Sequence, residues 1–321
     1  MVTKFIDNPE AKQDLYNLLQ SFMLYTEYAP WRWMTDTDIF AVEIPGEKEL
    51  YYACVMGCEG ELFGLAIYQG LKGLKYYQRQ LETEDPEEVA MIEEHGPVLL
   101  LTLGDRGELN NKERQLYKEL GFSFRGHNAW PVFRSFKPGF YPWILTPAEA
   151  HAASIVLQHA IAVAEHCREH QNKWHENGSD HIPLCKVLPG SASENFTLEW
   201  MPFPEINDEE IRFAFDYDTA ISAVSHLPQI EGEGWEIDWC YSPGPVQEKK
   251  GDYPFYPILG IIASRESGLI LNFKLSTRDE FNAASLLIQT MVKFNKRPES
   301  LIFKTELKAR SVLDLAHLLE I

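Results

Sequence analysis

Three strand-like runs follow one another with almost nothing between them: DIFAVEIP (38–45), LYYACVMG (50–57) and LFGLAIYQG (62–70). The links are Gly46-Glu47-Lys48 and Glu59-Gly60-Glu61, both short and turn-like. Such links suit hairpins, so the runs predict an antiparallel meander. Ahead of it, Leu15, Leu18, Leu19 and Phe22 recur at helical spacing from Pro9 to about Tyr25. Behind it, LKGLKYYQRQL reads as a helix and ETEDPEEVAMIEEHG as an acidic loop. Pro97 then opens the strand VLLLTL, and the helix NNKERQLYKEL stops at Gly121.

The second half repeats this order. Thr146-Pro147-Ala148-Glu149 is a capping box with a proline at the first helical position, and the helix it starts runs to about His170. IRFAFDYD, WEIDWCYS, PILGIIASR and LILNFKLS read as strands, the last two joined through Glu266-Ser267-Gly268. TRDEFNAASLLIQTMVKF reads as a helix, SLIFKT after Pro298 as a strand, and LKARSVLDLAHLLEI as a closing helix. The expectation is an α+β fold of two similar halves, each an antiparallel sheet with packed helices. The halves would be residues 1–123 and 146–321, joined by an aromatic and basic strap over 124–145. Pro97 and Pro298 would mark matching points of an internal duplication. Stretches 171–195 and 243–254 read as polar loops.

Charge narrows the choice of partners. Asp and Glu number 48 against 29 Lys and Arg, a net charge of −19. That field repels phosphate backbones and anionic lipid, so neither nucleic acid nor membrane is expected. No run approaches the roughly 18 apolar residues of a membrane span, and MVTKFIDNPEAKQDL has no signal-peptide character. Five scattered cysteines suit reduced thiols in the cytoplasm, with Cys54 and Cys58 read as buried small hydrophobes.

EHCREH (165–170) spells the H-x-x-E-H of inverted zinc peptidases. At about 100° per residue, Ala153, Val156, Leu157, Ala160, Ala164 and Cys167 form the apolar stripe. His159, His166 and His170 then fall at its edge, and Glu169 about 180° away. A base facing solvent does not serve a metal-bound water inside a cleft, so the stretch reads as an ordinary helix end. A looser zinc set from His166, His170, His175, His181 and Cys185 matches no compact finger spacing, and neither metal nor cofactor is expected. Nucleophile-elbow, phosphate-loop and dinucleotide motifs are missing from the sequence.

Two local clusters stand out. Arg125, His127, Trp130, Arg134, Lys137, Tyr141 and Trp143 place cations among aromatics, with Phe133, Phe136 and Phe140 between them. Arginine forks and aromatic faces suit an anionic or planar ligand, and an interdomain strap of packed aromatics is the plainer alternative. In WRWMTDTD, alternation would put Trp31 and Trp33 on one face and Arg32 on the other, with Asp36 and Asp38 in a turn.

WRWMTDTDIFAVEIP, YYACVMGCEGELFGLAIYQG, FRGHNAWPVFRSFKPGFYPWILTPAEA and the closing RPESLIFKTELKARSVLDLAHLL together resemble a group of bacterial proteins built from domains of unknown function, some found beside SEC-C motifs. The resemblance implies a soluble bacterial protein and brings no catalytic residues with it. A non-catalytic binding or interaction module is therefore expected, using the region between its halves for a protein or a small anionic or planar ligand. The rival reading is a hydrolase whose acids and histidines only the fold would gather.

Overall fold

The computed structural model describes residues 5, 8–82, 96–170, 180–187, 196–205, 217–249 and 252–321. They form two compact units, one of the described residues up to 205 with Asp252 and Tyr253, the other of the remainder.

The first unit begins with α1 (Pro9–Tyr28), capped by Asn8, whose Oδ1 accepts from the Glu10 and Ala11 amides. It continues through β1 (Phe40–Glu43), β2 (Tyr51–Met56), β3 (Gly64–Gln69), α2 (Gly70–Glu82), β4 (Val98–Gly104), α3 (Asn111–Glu119) and β5 (Trp130–Phe136). It ends with α4 (Pro147–Glu169), β6 (His181–Val187) and β7 (Phe196–Pro202). The seven strands lie in the order β5-β4-β3-β2-β1-β6-β7, with β1–β6 the parallel pair.

The meander is present, with Phe40 opposite Ala53 and Ala53 opposite Ile67. Alternation divides its side chains between two cores. Val42, Ala53, Val55, Leu65 and Ile67 face Leu18, Phe22, Val156 and Ala160 of α1 and α4. Ala41, Tyr52, Cys54, Ala66 and Tyr68 share the second core with Leu74, Tyr76 and Tyr77 of α2. Burial on both faces explains why β2 and β3 read as nearly unbroken apolar runs.

The second unit runs α5 (Tyr217–Val224), β8 (Gln229–Tyr241), β9 (Ile258–Ser264), β10 (Ile270–Ser276), α6 (Ala283–Phe294), β11 (Arg297–Phe303), α7 (Glu306–Arg310) and α8 (Leu313–Leu318). Its strand order is β10-β9-β8-β11, with β11 parallel to β8. Trp235, Ile237 and Ile262 pack against Leu286, Leu287, Met291 and Leu315.

The fold is thus α+β with two sheets. Each contains three antiparallel strands and a further strand parallel to the first: β3-β2-β1-β6 in one, β10-β9-β8-β11 in the other. The first sheet adds β4 and β5 beyond β3, and β7 beyond β6. β11 therefore holds the place of β6 and not of β4, so Pro97 and Pro298 do not correspond.

The expected boundaries at 123/124 and 145/146 differ from this division. β5 pairs with β4 over its whole length, and α4 shares a core with α1, so both belong to the first unit. Residues 181–187, read as loop, form a strand. Of the strand expected at 211–218, Tyr217 and Asp218 open α5 and the rest lies outside the described residues. Pro298 lies within β11, and the closing helix is two short ones. Trp31 sits in a 3-10 turn, Pro30–Arg32, in place of an extended run. Cys58 is exposed, whereas Cys54 is buried.

Candidate functional site

β5 is an outer strand of its sheet, and the chain after it turns back along that edge. Lys137-Pro138-Gly139-Phe140 makes the reversal: Gly139 takes φ 78°, and the Phe140 amide donates to the Lys137 carbonyl at 2.9 Å. Proline then glycine at the two central positions is what a type II turn requires. On the return, Trp143 exchanges both backbone hydrogen bonds with Ser135, at 2.7 and 3.1 Å. The aromatic strap of the sequence is therefore a β-strand and its edge cover.

The seven candidate residues fall in separate places. His127 is exposed and pairs with Asp105 at 2.8 Å; the Asn128 amide and His127 hold the Asp105 carboxyl below its ordinary value. Arg125 is exposed in the loop before β5, and Trp130 is half-buried, 5.8 Å from Phe124. Arg134 turns inward. Its guanidinium donates to the buried Glu113 at 2.7 Å, to the Phe133 carbonyl at 2.8 Å and to the Glu108 carbonyl. Glu113 in turn caps α3 by accepting from the Asn110 amide at 2.9 Å. Arg134 therefore ties β5 to α3.

Lys137 is the cation that remains with the aromatics. Its ammonium lies 2.9 Å from Glu149 and 5.0 Å from the centre of the Tyr253 ring. Phe140 meets that ring edge-on at 6.0 Å, and Phe140 and Tyr141 are 40% and 41% exposed, enough for contact with another molecule. Tyr253 and Glu149 were not expected here. DYPFYP (252–257) alternates aromatics and prolines much as GFYPW (139–143) does, which is the signal that could have found Tyr253.

Glu149 has a structural task. It accepts from the Thr146 amide at 2.7 Å and the Ser135 hydroxyl at 2.8 Å. Burial works to raise its carboxyl, but the Thr146 amide, Lys137 and Ser135 outweigh that and hold it below the ordinary value. Burial raises the Tyr253 phenol, with the Glu149 charge adding to it. The Trp143 indole N–H is enclosed without a hydrogen-bond partner among the described residues.

At the end of α4, Cys167 is buried and Glu169 exposed, as the helical projection expects. The His166 and His170 rings stack at 4.2 Å, and His170 Nδ1 lies 3.0 Å from the His166 carbonyl. His159 is fully buried, not marginal, because Phe196 of β7 closes over it at 5.9 Å. Cys185 is buried in β6, its thiol pushed up to about 12 by burial, and His181 pairs with Asp180 at 3.3 Å. His175 lies outside the described residues. Among the described residues, no group of three or more His, Cys, Asp or Glu is placed to hold a metal ion, and no helix is long and apolar enough to cross a membrane.

The architecture defines a two-unit α+β protein whose first unit carries an exposed aromatic turn around one lysine. The chain belongs to the family described as a domain of unknown function, DUF7309, whose model matches residues 13–184. A second domain of unknown function, DUF6930, matches residues 220–321. The first match runs through β5 and α4 into β6, and the second coincides closely with the second unit. No curated protein and no solved structure matches the chain.

Proposed function

We propose that this chain is a non-catalytic binding module whose contact surface is the 137–143 turn with Tyr253. The observation that carries this reading is the Lys137 ammonium over the Tyr253 ring, beside the exposed Phe140 and Tyr141. An ammonium has three donors, and Glu149 occupies one, which leaves donors for an anionic group. Phe140 and Tyr141 supply faces for a planar one. The ligand is accordingly a planar or anionic group, on a small molecule or at a protein surface. Five free cysteines suit a reducing cytoplasm, and the net charge of −19 favours neither nucleic acid nor anionic membrane as partner.

Titration with naphthalene-2-sulfonate, a planar anion, tests the reading by amide NMR shifts. Saturable shifts should concentrate at 137–143 and Tyr253, and disappear in Phe140→Ala/Tyr141→Ala. Shifts elsewhere, or unchanged binding by the double variant, would refute it.

A further inference from the structure

A second cation rests on aromatic rings at the other end of α4. Tyr28 closes α1, and Trp33 follows the 3-10 turn Pro30–Arg32. The two rings stand 5.2 Å apart and 85° to one another, forming a corner. The Arg168 guanidinium carbon lies 5.1 Å from the Tyr28 centroid and 5.4 Å from that of Trp33. Glu165 and Glu169 are exposed on α4, three residues before Arg168 and one after it; burial raises the Tyr28 phenol, Arg168 opposes this, and the two carboxylates add to it.

The walls are held by the fold, and the occupant is an exposed side chain laid against them. Trp33 Nε1 donates to the Ala164 carbonyl at 3.0 Å, which sets the indole plane. Ala29, a non-glycine residue at φ 53°, turns the chain so that Trp33 returns against Tyr28. Arg168, by contrast, is an exposed side chain on the last turn of α4. Shape adds a further argument. A planar guanidinium can lie flat on one ring but not on two perpendicular ones, and here it stands more than 5 Å from both centroids. A compact, rounded cation presents the same surface to both walls.

We propose that Tyr28, Trp33, Glu165 and Glu169 form a binding site for a methylated ammonium group, with Arg168 as a displaceable internal plug. Quaternary ammonium heads are the ligands that converging aromatic faces hold best, through their quadrupoles and with little desolvation cost. The two carboxylates add the matching charge, and the acidic chain draws cations toward it. This site does not depend on the 137–143 surface.

The experiment removes the plug. Arg168→Gln should keep the fold by circular dichroism, since the residue is exposed. Tetramethylammonium chloride is titrated while the indole 15N–1H signal of Trp33, assigned from Trp33→Phe, is followed; guanidinium chloride at equal ionic strength is the control. Arg168→Gln should bind tetramethylammonium about tenfold more tightly than wild type, the size of the two exposed cation–π contacts that no longer compete. Glu165→Gln/Glu169→Gln placed in that background should weaken it again. A trimethyllysine peptide tested in parallel separates sources: tighter binding than tetramethylammonium places the head group on a polypeptide, and equal binding on a free solute. No saturable Trp33 shift in Arg168→Gln, an equal response to guanidinium, or equal affinity in wild type would overturn the proposal.

Discussion

Arg134 was expected to face a ligand and is instead bound into the protein, and replacing it measures the difference. In Arg134→Met the buried Glu113 carboxylate loses its charged partner, while the Phe133 and Glu108 carbonyls lose their donor. The Arg134 and Glu113 side chains are 19% and 8% exposed, so water restores little of this. Breaking a buried pair from one side costs roughly 3–5 kcal/mol, and the partly open arginine puts the loss at about 3 kcal/mol. In a unit of this size that corresponds to a fall in Tm of about 6–12 °C. Calorimetry of the full chain reads it. Adding Glu113→Gln should recover much of the loss, because glutamine still caps α3 and no buried charge remains. The coupling between the two changes should exceed about 1 kcal/mol, as expected for residues in direct contact. If Arg134→Met leaves Tm unchanged and abolishes binding of the planar anion, the guanidinium serves a ligand and the structural assignment is wrong.

Gly64 faces the Leu101 carbonyl so closely that a Cβ would stand 2.1 Å from its oxygen, and that oxygen belongs to backbone that cannot swing aside. Gly64→Ala should therefore destabilise the first sheet by about 3 kcal/mol or more, the upper range for overpacking, read from the urea midpoint. Thr146→Ala removes the acceptor of the Glu149 amide, and the α4 cap should weaken by about 1 kcal/mol. His159 donates from Nδ1 to the Ile155 carbonyl at 2.7 Å, its Nε2 has no partner among the described residues, and burial lowers its pKa against that one hydrogen bond. Its folded value lies below the ordinary value of about 6.5, so the unfolded chain takes up the proton first. The stability this residue contributes is whole above that pH and lost as pH falls toward the folded value. In His159→Phe this part of the acid slope should vanish, which denaturant melts between pH 7.5 and 5 would show.

What the sequence made legible, and what it hid, follow from the same physics. β2 and β3 are inner strands covered on both faces, so residues 51–56 and 64–69 are nearly all apolar and short turns flank them. β5, β6 and β7 gave no such signal. Pro131 stands in β5 and Pro202 closes β7, both outer strands, where a missing N–H on the open side costs no ladder bond. To a reader without the sheet order, those prolines mark loops. Pro183 is harder, since β6 runs between β1 and β7. A proline there is usually an argument against a strand, and tertiary packing overrides it.

The same ambiguity misplaced the domain boundary. A helix opened by a capping box looks like the start of a new half, yet its neighbours decide where it belongs. The α4 residues Ala153, Val156, Leu157 and Ala160 are fully buried with Leu18, Leu19 and Phe22 of α1, against strands more than 80 residues earlier in the chain. Element order repeats along this chain, but pairing does not follow it. The strand after α2 joins β3, and the strand after α6 joins β8. Period and turn chemistry report which residues are extended or helical; which strand a returning segment finds depends on surfaces distant in sequence. The scattering of the seven candidate residues has the same origin. Charge clustered along a chain reaches a common surface only if the intervening strand does not alternate it inward, and β5 sends Arg134 to Glu113 while the turn after it leaves Lys137 at Tyr253.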